Sequence, residues 1–178
     1  MTEFNYDWTR FERQIFIKAD QAAIFRAWAV PENIVKWFIA SAEYIAADNT
    51  PRKATDVVAA GDAYYWEWHQ DLRTHGTILE VVENKKLVFT FGDKEPGSDE
   101  KIIVTVEVAL QEDGVTLLRL VQEHMADTPQ AHVSWHMQCN LGWSFFMTNL
   151  KAWLELGIDL REKSPERAGA TRAISVIH

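Results

Sequence analysis

Residues 141–157, near the C-terminal end, constrain the fold most, because their apolar side chains cover an unusually wide helical face. One row recurs at intervals of three and four residues and consists of Trp143, Phe146, Met147, Leu150, Trp153, Leu154 and Gly157. That spacing is typical of an amphipathic helix. A second apolar row consists of Leu141, Phe145, Ala152 and Leu156. A helix of this kind needs a broad apolar partner, and a curved antiparallel sheet provides one.

The segments before that helix alternate apolar and polar residues with the two-residue period of β-strands. The alternation covers residues 10–18, 61–71, 75–83, 86–92, 101–110 and 115–124. Turn sequences such as Asp113-Gly114 separate the later segments, so consecutive strands are predicted to pair as an antiparallel meander. After the first strand, Asp20 stands where a helix N-cap is needed, and Pro31 begins a second short helix that runs to about Trp37.

The composition narrows the class of protein. The chain of 178 residues is long enough for one domain, which we place at residues 1–160, followed by a polar tail at 161–178. Within the tail, the role of residues 173–177, which have a strand-like composition, stays open. The net charge of −8, without a Lys/Arg cluster, argues against nucleic acid as a partner. We find neither a secretory leader nor the roughly 20 apolar residues of a membrane span, and therefore expect a soluble, cytoplasmic protein with no membrane partner.

Three segments resemble a known family when taken in order. They are FERQIFIKADQAAIFRAWAVPENIVKWF, GDAYYWEWHQ with HGTILEVVENKKLVFTFG, and GWSFFMTNLKAWLELG, and the likeness spans residues 10–158. This series resembles the heat-shock-protein-90 ATPase activator C-terminal-like proteins, which belong to the START-like superfamily. The resemblance implies an α+β helix-grip fold, with a curved antiparallel sheet wrapped around a long C-terminal helix and two short helices after the first strand. It also implies a cavity between the sheet and that helix.

The positions that the resemblance assigns to such a cavity are mostly aromatic. They are Trp66, Trp68, Leu87, Phe89, Trp143, Phe146 and Met147. Core and cavity walls share this composition, so either role remains open for each residue. Gln122 and His124 continue the inward face of the last strand. His136 lies near the start of the long helix, where it and Asn140 would form a polar entrance to the cavity. Gln122, His124 and His136 could therefore contact a polar group of a ligand, and Gln122 and His124 could instead bond to another backbone group.

Other polar residues are weaker candidates for chemistry. His132, His136 and Cys139 have spacings of four and three, which can present ligands to a metal, but there is no HExxH motif or second cysteine. We therefore expect no metal and no other cofactor, and an inert, buried Cys139. Glu67 and His69 alternate with Trp66 and are expected to face solvent.

Three functions are compatible with these features. The first is binding of a small apolar or aromatic molecule in the cavity. The second, implied by the resemblance, is regulation of a chaperone as part of a stress response. The third is a cyclase or hydrolase type of enzyme, whose acid and base would be sought among Gln122, His124 and His136. An exposed aromatic surface or strand edge also makes a homodimer plausible.

Overall fold

The computed structural model describes residues 5–69, 72–94, 99–164 and 167. The strands are β1 (Phe11–Ile17), β2 (Ser41–Ile45), β3 (Ala63–Glu67), β4 (Arg73–Val82), β5 (Lys86–Asp93), β6 (Lys101–Leu110) and β7 (Thr116–Glu123). Helices α1 (Gln21–Ala29) and α2 (Pro31–Ile34) follow β1. After β7 come α3 (Pro129–Ala131), a π-helix (His132–Met137) and α4 (Gln138–Leu156).

The strands form one seven-stranded antiparallel sheet in the order β1-β7-β6-β5-β4-β3-β2. Strands β2 to β7 are consecutive neighbours, which confirms the predicted meander, and β1 pairs with β7. The register shifts between Ile78 and Glu80 and again between Thr90 and Asp93. Such bulges bend a sheet, so these irregularities contribute to its curvature. The predicted helix-grip fold is confirmed.

The core lies between the concave face of the sheet and the helices. The two-residue period places Phe89, Val104 and Leu118 inward, and none of them is exposed to solvent. Helix α1 packs against β5 and β6, while α4 packs against β1. The C-terminal half of α4 is also held by polar contacts, since Lys151 Nζ donates to the Phe16 carbonyl at 2.7 Å.

The helix ends differ in part from the sequence prediction. Asp20 occupies the N-cap position of α1, but its side chain makes no capping hydrogen bond within the described part of the chain. Helix α2 ends at Ile34, earlier than the predicted Trp37. Thr128 caps α3 by accepting a hydrogen bond from the Ala131 amide. The left-handed Gly157 (φ 70°) ends α4, a conformation that costs glycine little.

Residues 158–164, which we call the C-terminal strap, turn back from α4 and pack against the rest of the domain. The buried Asn149 accepts a hydrogen bond from the Leu160 amide at 2.6 Å and donates to the Trp37 carbonyl at 2.6 Å. Asn149 on α4 therefore ties the strap to the segment that follows α2. The strand-like residues 173–177 lie outside the described residues. In the described part of the chain, no helix combines the length and the apolar character that crossing a bilayer requires.

Candidate functional site

A groove of about 550 Å³ lies between the helical segment around residues 134–146, the strands β4 and β5, and the C-terminal strap. We call it the aromatic groove, because its lining includes Phe38, Trp68, Phe91, Trp135, Trp143 and Phe146. Polar residues, including His69, Thr74 and Arg161, lie among the remaining lining residues. The groove is therefore an apolar cleft with a small number of polar groups, the usual composition of a small-molecule site.

Phe38 holds the aromatic wall together. Its ring stacks on Trp143 at 5.2 Å between centroids and meets Trp68 and Phe146 edge-on at 4.6 and 4.9 Å. Phe38 is itself buried in the turn that follows α2. Because all three rings contact the same buried residue, the wall is one packed aromatic cluster.

Trp135 closes part of the groove from the π-helix. A Cβ atom on Gly92 would lie only 2.7 Å from the Trp135 ring, so the ring packs directly on the glycine backbone. Gly92 also has a positive φ of 86°, which side chains rarely tolerate. Gly92 is thus required both for its own conformation and for the position of Trp135.

The indole N–H groups near the groove differ in how they are satisfied. Trp143 Nε1 donates to Gln122 Oε1 at 2.7 Å, and Trp66 Nε1 donates to the Tyr44 hydroxyl at 3.0 Å. Trp68 Nε1 is buried and has no hydrogen-bond partner among the described residues. A buried donor without a partner is unusual in native proteins and costs about 1–3 kcal/mol. Among the described residues that line the groove, Trp68 is therefore the one with a buried donor that lacks a partner.

The C-terminal strap forms the other wall and is anchored by Arg161. Its guanidinium donates to the carbonyls of Ile39 and Val35 at 2.9 and 3.0 Å, and only 4% of the side chain is exposed. Burial alone would raise the pKa of Asp159, but hydrogen bonds from Arg161 and Lys163 outweigh it and hold this pKa well below its usual range. The strap is thus fixed by a charged pair and by backbone acceptors from the segment after α2.

A second cavity lies where the N-terminal segment meets the π-helix. This N-terminal depression is lined by Tyr6, Trp8, Arg13, His132, His136 and Asn140, together with Asn5, Asp127, Met137 and Leu141. Leu141 also lines the aromatic groove, so this one side chain borders both cavities.

Within the depression, His136 makes hydrogen bonds to two residues of the N-terminal segment. Its Nδ1 lies 3.0 Å from the Trp8 carbonyl, and its Nε2 lies 2.7 Å from the Tyr6 hydroxyl. Since a carbonyl can only accept, Nδ1 carries the proton and Nε2 accepts from Tyr6 in the neutral ring. Burial lowers the pKa of His136, against the opposing effect of the hydrogen bond to the Trp8 carbonyl. His132 stacks on Trp8 and binds Asp127 at 2.7 Å.

Comparison with known proteins decides the family. The sequence profile described as "Activator of Hsp90 ATPase homolog 1-like protein" matches residues 18–155, which is more than half of the chain. The chain belongs to this family. No curated protein is similar enough in sequence to count as a relative.

Solved structures show the same fold as this family member. The solution structure of the Aha1 dimer from Colwellia psychrerythraea has a TM-score of 0.66 at 18% identity, covering 83% of this chain and 97% of that one. An HSP90 activator from Plasmodium falciparum has a TM-score of 0.59 at 16% identity, covering 84% and 96%. Protein SSP2350 from Staphylococcus saprophyticus has a TM-score of 0.64 at 18% identity, covering 85% and 96%.

In this member of the activator-like family, the aromatic residues and the methionine that were predicted to line a cavity fall into two groups. Some line the aromatic groove, and the others lie in the hydrophobic core. Trp68, Trp143 and Phe146 line the aromatic groove. Trp66, Phe89 and Met147 are buried in the core cluster, and none of them is among the lining residues of either cavity. Trp66 stacks on Tyr64, with 4.1 Å between the ring centroids.

The polar candidates are not brought together. Gln122 is fully buried and, besides accepting from Trp143, donates to the Trp135 carbonyl at 3.3 Å. His136 lines the N-terminal depression rather than the groove. The expectation that His124 faces inward is wrong, because β7 ends at Glu123 and His124 adopts a positive φ of 67° that leaves it exposed.

The residues weighed as metal ligands engage separate partners. His132 and His136 make the bonds described above, and the Cys139 thiol lies 3.7 Å from the Ser134 carbonyl. Burial raises the pKa of this thiol to about 11. Across the described ranges there is no group of three side chains suited to holding a metal ion.

Several residues of the two cavities were missed by sequence reasoning. Phe91 shares the inward face of Phe89 two positions earlier, so strand alternation was sufficient to find it. Trp135 lies on the π-helix, whose wider turn breaks the three-and-four spacing that marks α4. Tyr6 and Trp8 precede the first strand and gave no periodic signal.

Proposed function

We propose that this protein binds a small, flat aromatic molecule that carries a hydrogen-bond acceptor, and that the aromatic groove is its site. The buried Trp68 N–H beside a ring-lined groove supports this proposal most strongly. A ligand acceptor that reaches this N–H would recover a hydrogen bond that the described residues do not supply. A ligand without an acceptor would leave the donor unpaired, so the site would discriminate between the two.

The size and rigidity of the groove also support a small aromatic ligand. Its volume of about 550 Å³ falls in the usual range of roughly 300–1,000 Å³ for small-molecule sites. The contacts of Phe38 with Trp68, Trp143 and Phe146 fix three wall rings in advance. Binding therefore orders few side chains, which reduces its entropic cost.

A pair of matched molecules tests the proposal. 2-Acetylnaphthalene and 2-ethylnaphthalene have nearly the same size, but only the ketone has an acceptor. We expect the ketone to bind more tightly, by roughly tenfold for one recovered hydrogen bond. The binding of each compound can be followed by tryptophan fluorescence titration.

Two leucine substitutions on α4 provide the control. A Cβ atom on Gly142 meets nothing within 4 Å, and Gly142 lines the groove, so Gly142→Leu fills the site. Thr148→Leu adds a similar side chain at an exposed position of the same helix. Loss of ketone binding in Gly142→Leu but not in Thr148→Leu supports the groove, whereas equal binding by both variants contradicts it.

Family membership favours a second candidate, regulation of a heat-shock-protein-90 chaperone. The Plasmodium falciparum relative is described as an HSP90 activator. The test is the ATPase rate of the chaperone from the same organism with and without the purified protein. A rate that rises with protein concentration supports this function, and an unchanged rate contradicts it.

A homodimer is a further proposal. The Colwellia psychrerythraea relative is described as a dimer, and this chain exposes Leu141 and Phe145 by 45% and 44% on α4. Light scattering after size-exclusion chromatography measures the mass directly. A mass of twice the chain at micromolar concentration supports the dimer, and the mass of one chain contradicts it.

The cyclase or hydrolase alternative receives less support from the geometry. Such an enzyme needs an acid and a base that face the substrate together. Gln122 is buried against Trp143, His136 lines the other cavity, and His124 is exposed beyond β7. In the described part of the chain no hydrogen bond joins any two of these residues, so the arrangement favours binding over catalysis.

A further inference from the structure

Arg13 is a cation in an unusual place on β1. The two-residue period puts it on the same face as Phe11 and Ile15, which pack into the core. Its side chain remains exposed and makes no ion pair or hydrogen bond within the described ranges of the chain. By contrast, the neighbouring Glu12 faces the other side of the sheet, where it binds Arg119 at 2.6 Å. Arg13 is thus an unpaired positive charge at the rim of the concave face.

The N-terminal depression surrounds this charge with groups of two other kinds. Met137 and Leu141 line it from the π-helix and α4, and each is 45% exposed, which gives an apolar surface. Asn140 also lines it, and the Asn140 Oδ1 atom is buried without a hydrogen-bond partner among the described residues. Since the two ends of a side-chain amide are assigned from their bonding, either end of the Asn140 amide can be its N–H donor.

The other charged and titratable groups of the depression already have partners. Asp127 binds the His132 ring at 2.7 Å, and Asp7, which precedes Trp8, accepts hydrogen bonds from the Thr9 amide and hydroxyl. His136 is engaged by the Tyr6 hydroxyl and the Trp8 carbonyl. Arg13 is therefore the charge that is left to recognise a ligand.

We propose that the N-terminal depression is a second binding site and that it takes a small organic carboxylate with an apolar body. The planar guanidinium of Arg13 matches a carboxylate through two parallel N–H groups. The Asn140 amide adds a donor, and the apolar body covers Met137 and Leu141. This site differs from the aromatic groove in ligand charge, although Leu141 borders both.

Arg13 has one competing explanation. Strand β1 is an edge of the sheet, and inward-pointing charges on edge strands discourage pairing with other chains. In that case Arg13 would prevent aggregation and would bind no carboxylate. The two explanations differ in what happens when octanoate is added.

Titration of the full chain with octanoate, followed by ¹H–¹⁵N NMR, separates them. The Trp8 indole signal, assigned from a Trp8→Phe variant, reports on the depression, and the Trp68 and Trp143 signals report on the groove. We expect octanoate to shift the Trp8 signal in a saturable manner and to leave the groove signals in place. Octanamide, which has the same chain without the charge, should bind roughly tenfold more weakly.

Two arginine variants complete the test. Arg13→Gln should weaken octanoate binding by roughly tenfold or more, because it removes the positive charge and the two parallel N–H groups that match a carboxylate. Arg26→Gln removes the same charge from an exposed position on α1 and should bind octanoate like the unmodified chain. Equal affinity in Arg13→Gln and Arg26→Gln, or octanoate shifts confined to Trp68 and Trp143, would overturn the proposal. Aggregation of Arg13→Gln without loss of octanoate binding would establish the edge-protection role instead.

Discussion

The aromatic groove and the N-terminal depression lie beside the same helical stretch and share Leu141, yet they are built from different chemistry. The groove is fixed by rings packed on the buried Phe38, and the group there that lacks a partner among the described residues is a neutral donor, Trp68 Nε1. The depression is fixed by hydrogen bonds to His136, and the group there that lacks a partner in the described part of the chain is a cation, the Arg13 guanidinium. Rigid apolar walls select shape, whereas an unpaired charge selects ligand charge.

The largest expected effect concerns the wall that only the groove possesses, the C-terminal strap. Arg161→Ala leaves Asp159 without its nearest cation and the carbonyls of Val35 and Ile39 without donors, so it should lower the free energy of unfolding by about 3 kcal/mol. Urea denaturation measures the change. Arg167→Ala removes only an exposed ion pair with Glu162 of the strap and should change the midpoint little. Similar midpoints for both variants would show that the contacts of Arg161 in the strap do not stabilise the folded domain.

Thiol labelling compares the two sides of the helical stretch directly. Cys139 lines the groove, and with a pKa of about 11 its thiolate fraction at neutral pH is small, so iodoacetamide should react roughly a hundredfold more slowly than with an exposed thiol. A Met137→Cys substitution in a Cys139→Ser background places a thiol at a half-exposed position in the depression. Mass spectrometry gives both rates. Equal rates would contradict the buried groove wall.

Two tryptophan variants separate the satisfied indole from the unsatisfied one. Trp143→Phe leaves the buried Gln122 Oε1 without its hydrogen-bond donor and should lower the free energy of unfolding by about 2–3 kcal/mol. Trp68→Phe removes a donor that has no partner among the described residues. Only ring contacts are lost, so the free energy of unfolding should fall by closer to about 1 kcal/mol. Thermal unfolding of both variants ranks them. A larger loss for Trp68→Phe would mean that its N–H is already bonded.

The smallest expected effect is a pH dependence that arises from the depression. Because burial lowers the pKa of His136, this ring takes up a proton in the unfolded chain below about pH 6.5 but stays neutral to a lower pH in the folded chain. The free energy of unfolding should therefore fall as pH decreases through this value, and His136 should add no pH dependence above it. His132, Asp7 and Arg13 are the charged or titratable groups that act on His136.

A His136→Gln variant should reduce this slope, as measured by urea denaturation at several pH values. Part of the slope should remain, since burial also lowers the pKa of His69. His75→Gln alters an exposed histidine on β4 and serves as the control. If His136→Gln keeps the full slope, the His136 ring is not the titrating group.

Most of the fold could be predicted from the sequence, because strand alternation and the apolar stripe of α4 are periodic signals. Residues 101–110 were predicted and observed with the same ends. The inward ring of Trp68 followed from the same alternation. His124 could not be placed correctly, since the pattern of Leu118 and Leu120 does not reveal where the chain leaves the strand.

The cavities were harder to predict because they depend on contacts between distant segments. Phe38 meets Trp143 and Trp68 only after α2, β3 and α4 have packed together. The separation of His136 from the groove depends on a π-helix, whose extra residue per turn shifts the side chains before α4. The bond from Tyr6 to His136 joins residues 130 positions apart, which periodicity cannot indicate.

The position of the Trp68 indole N–H signal in ¹H–¹⁵N NMR tests the central claim most directly. The signal can be assigned from Trp68→Phe and followed during titration with 2-acetylnaphthalene and with 2-ethylnaphthalene. The account predicts a downfield proton shift with the ketone that the hydrocarbon does not produce, since only the ketone accepts a hydrogen bond from Trp68. A Trp68 signal that stays in place at saturating ketone, or that moves equally with both compounds, would contradict it.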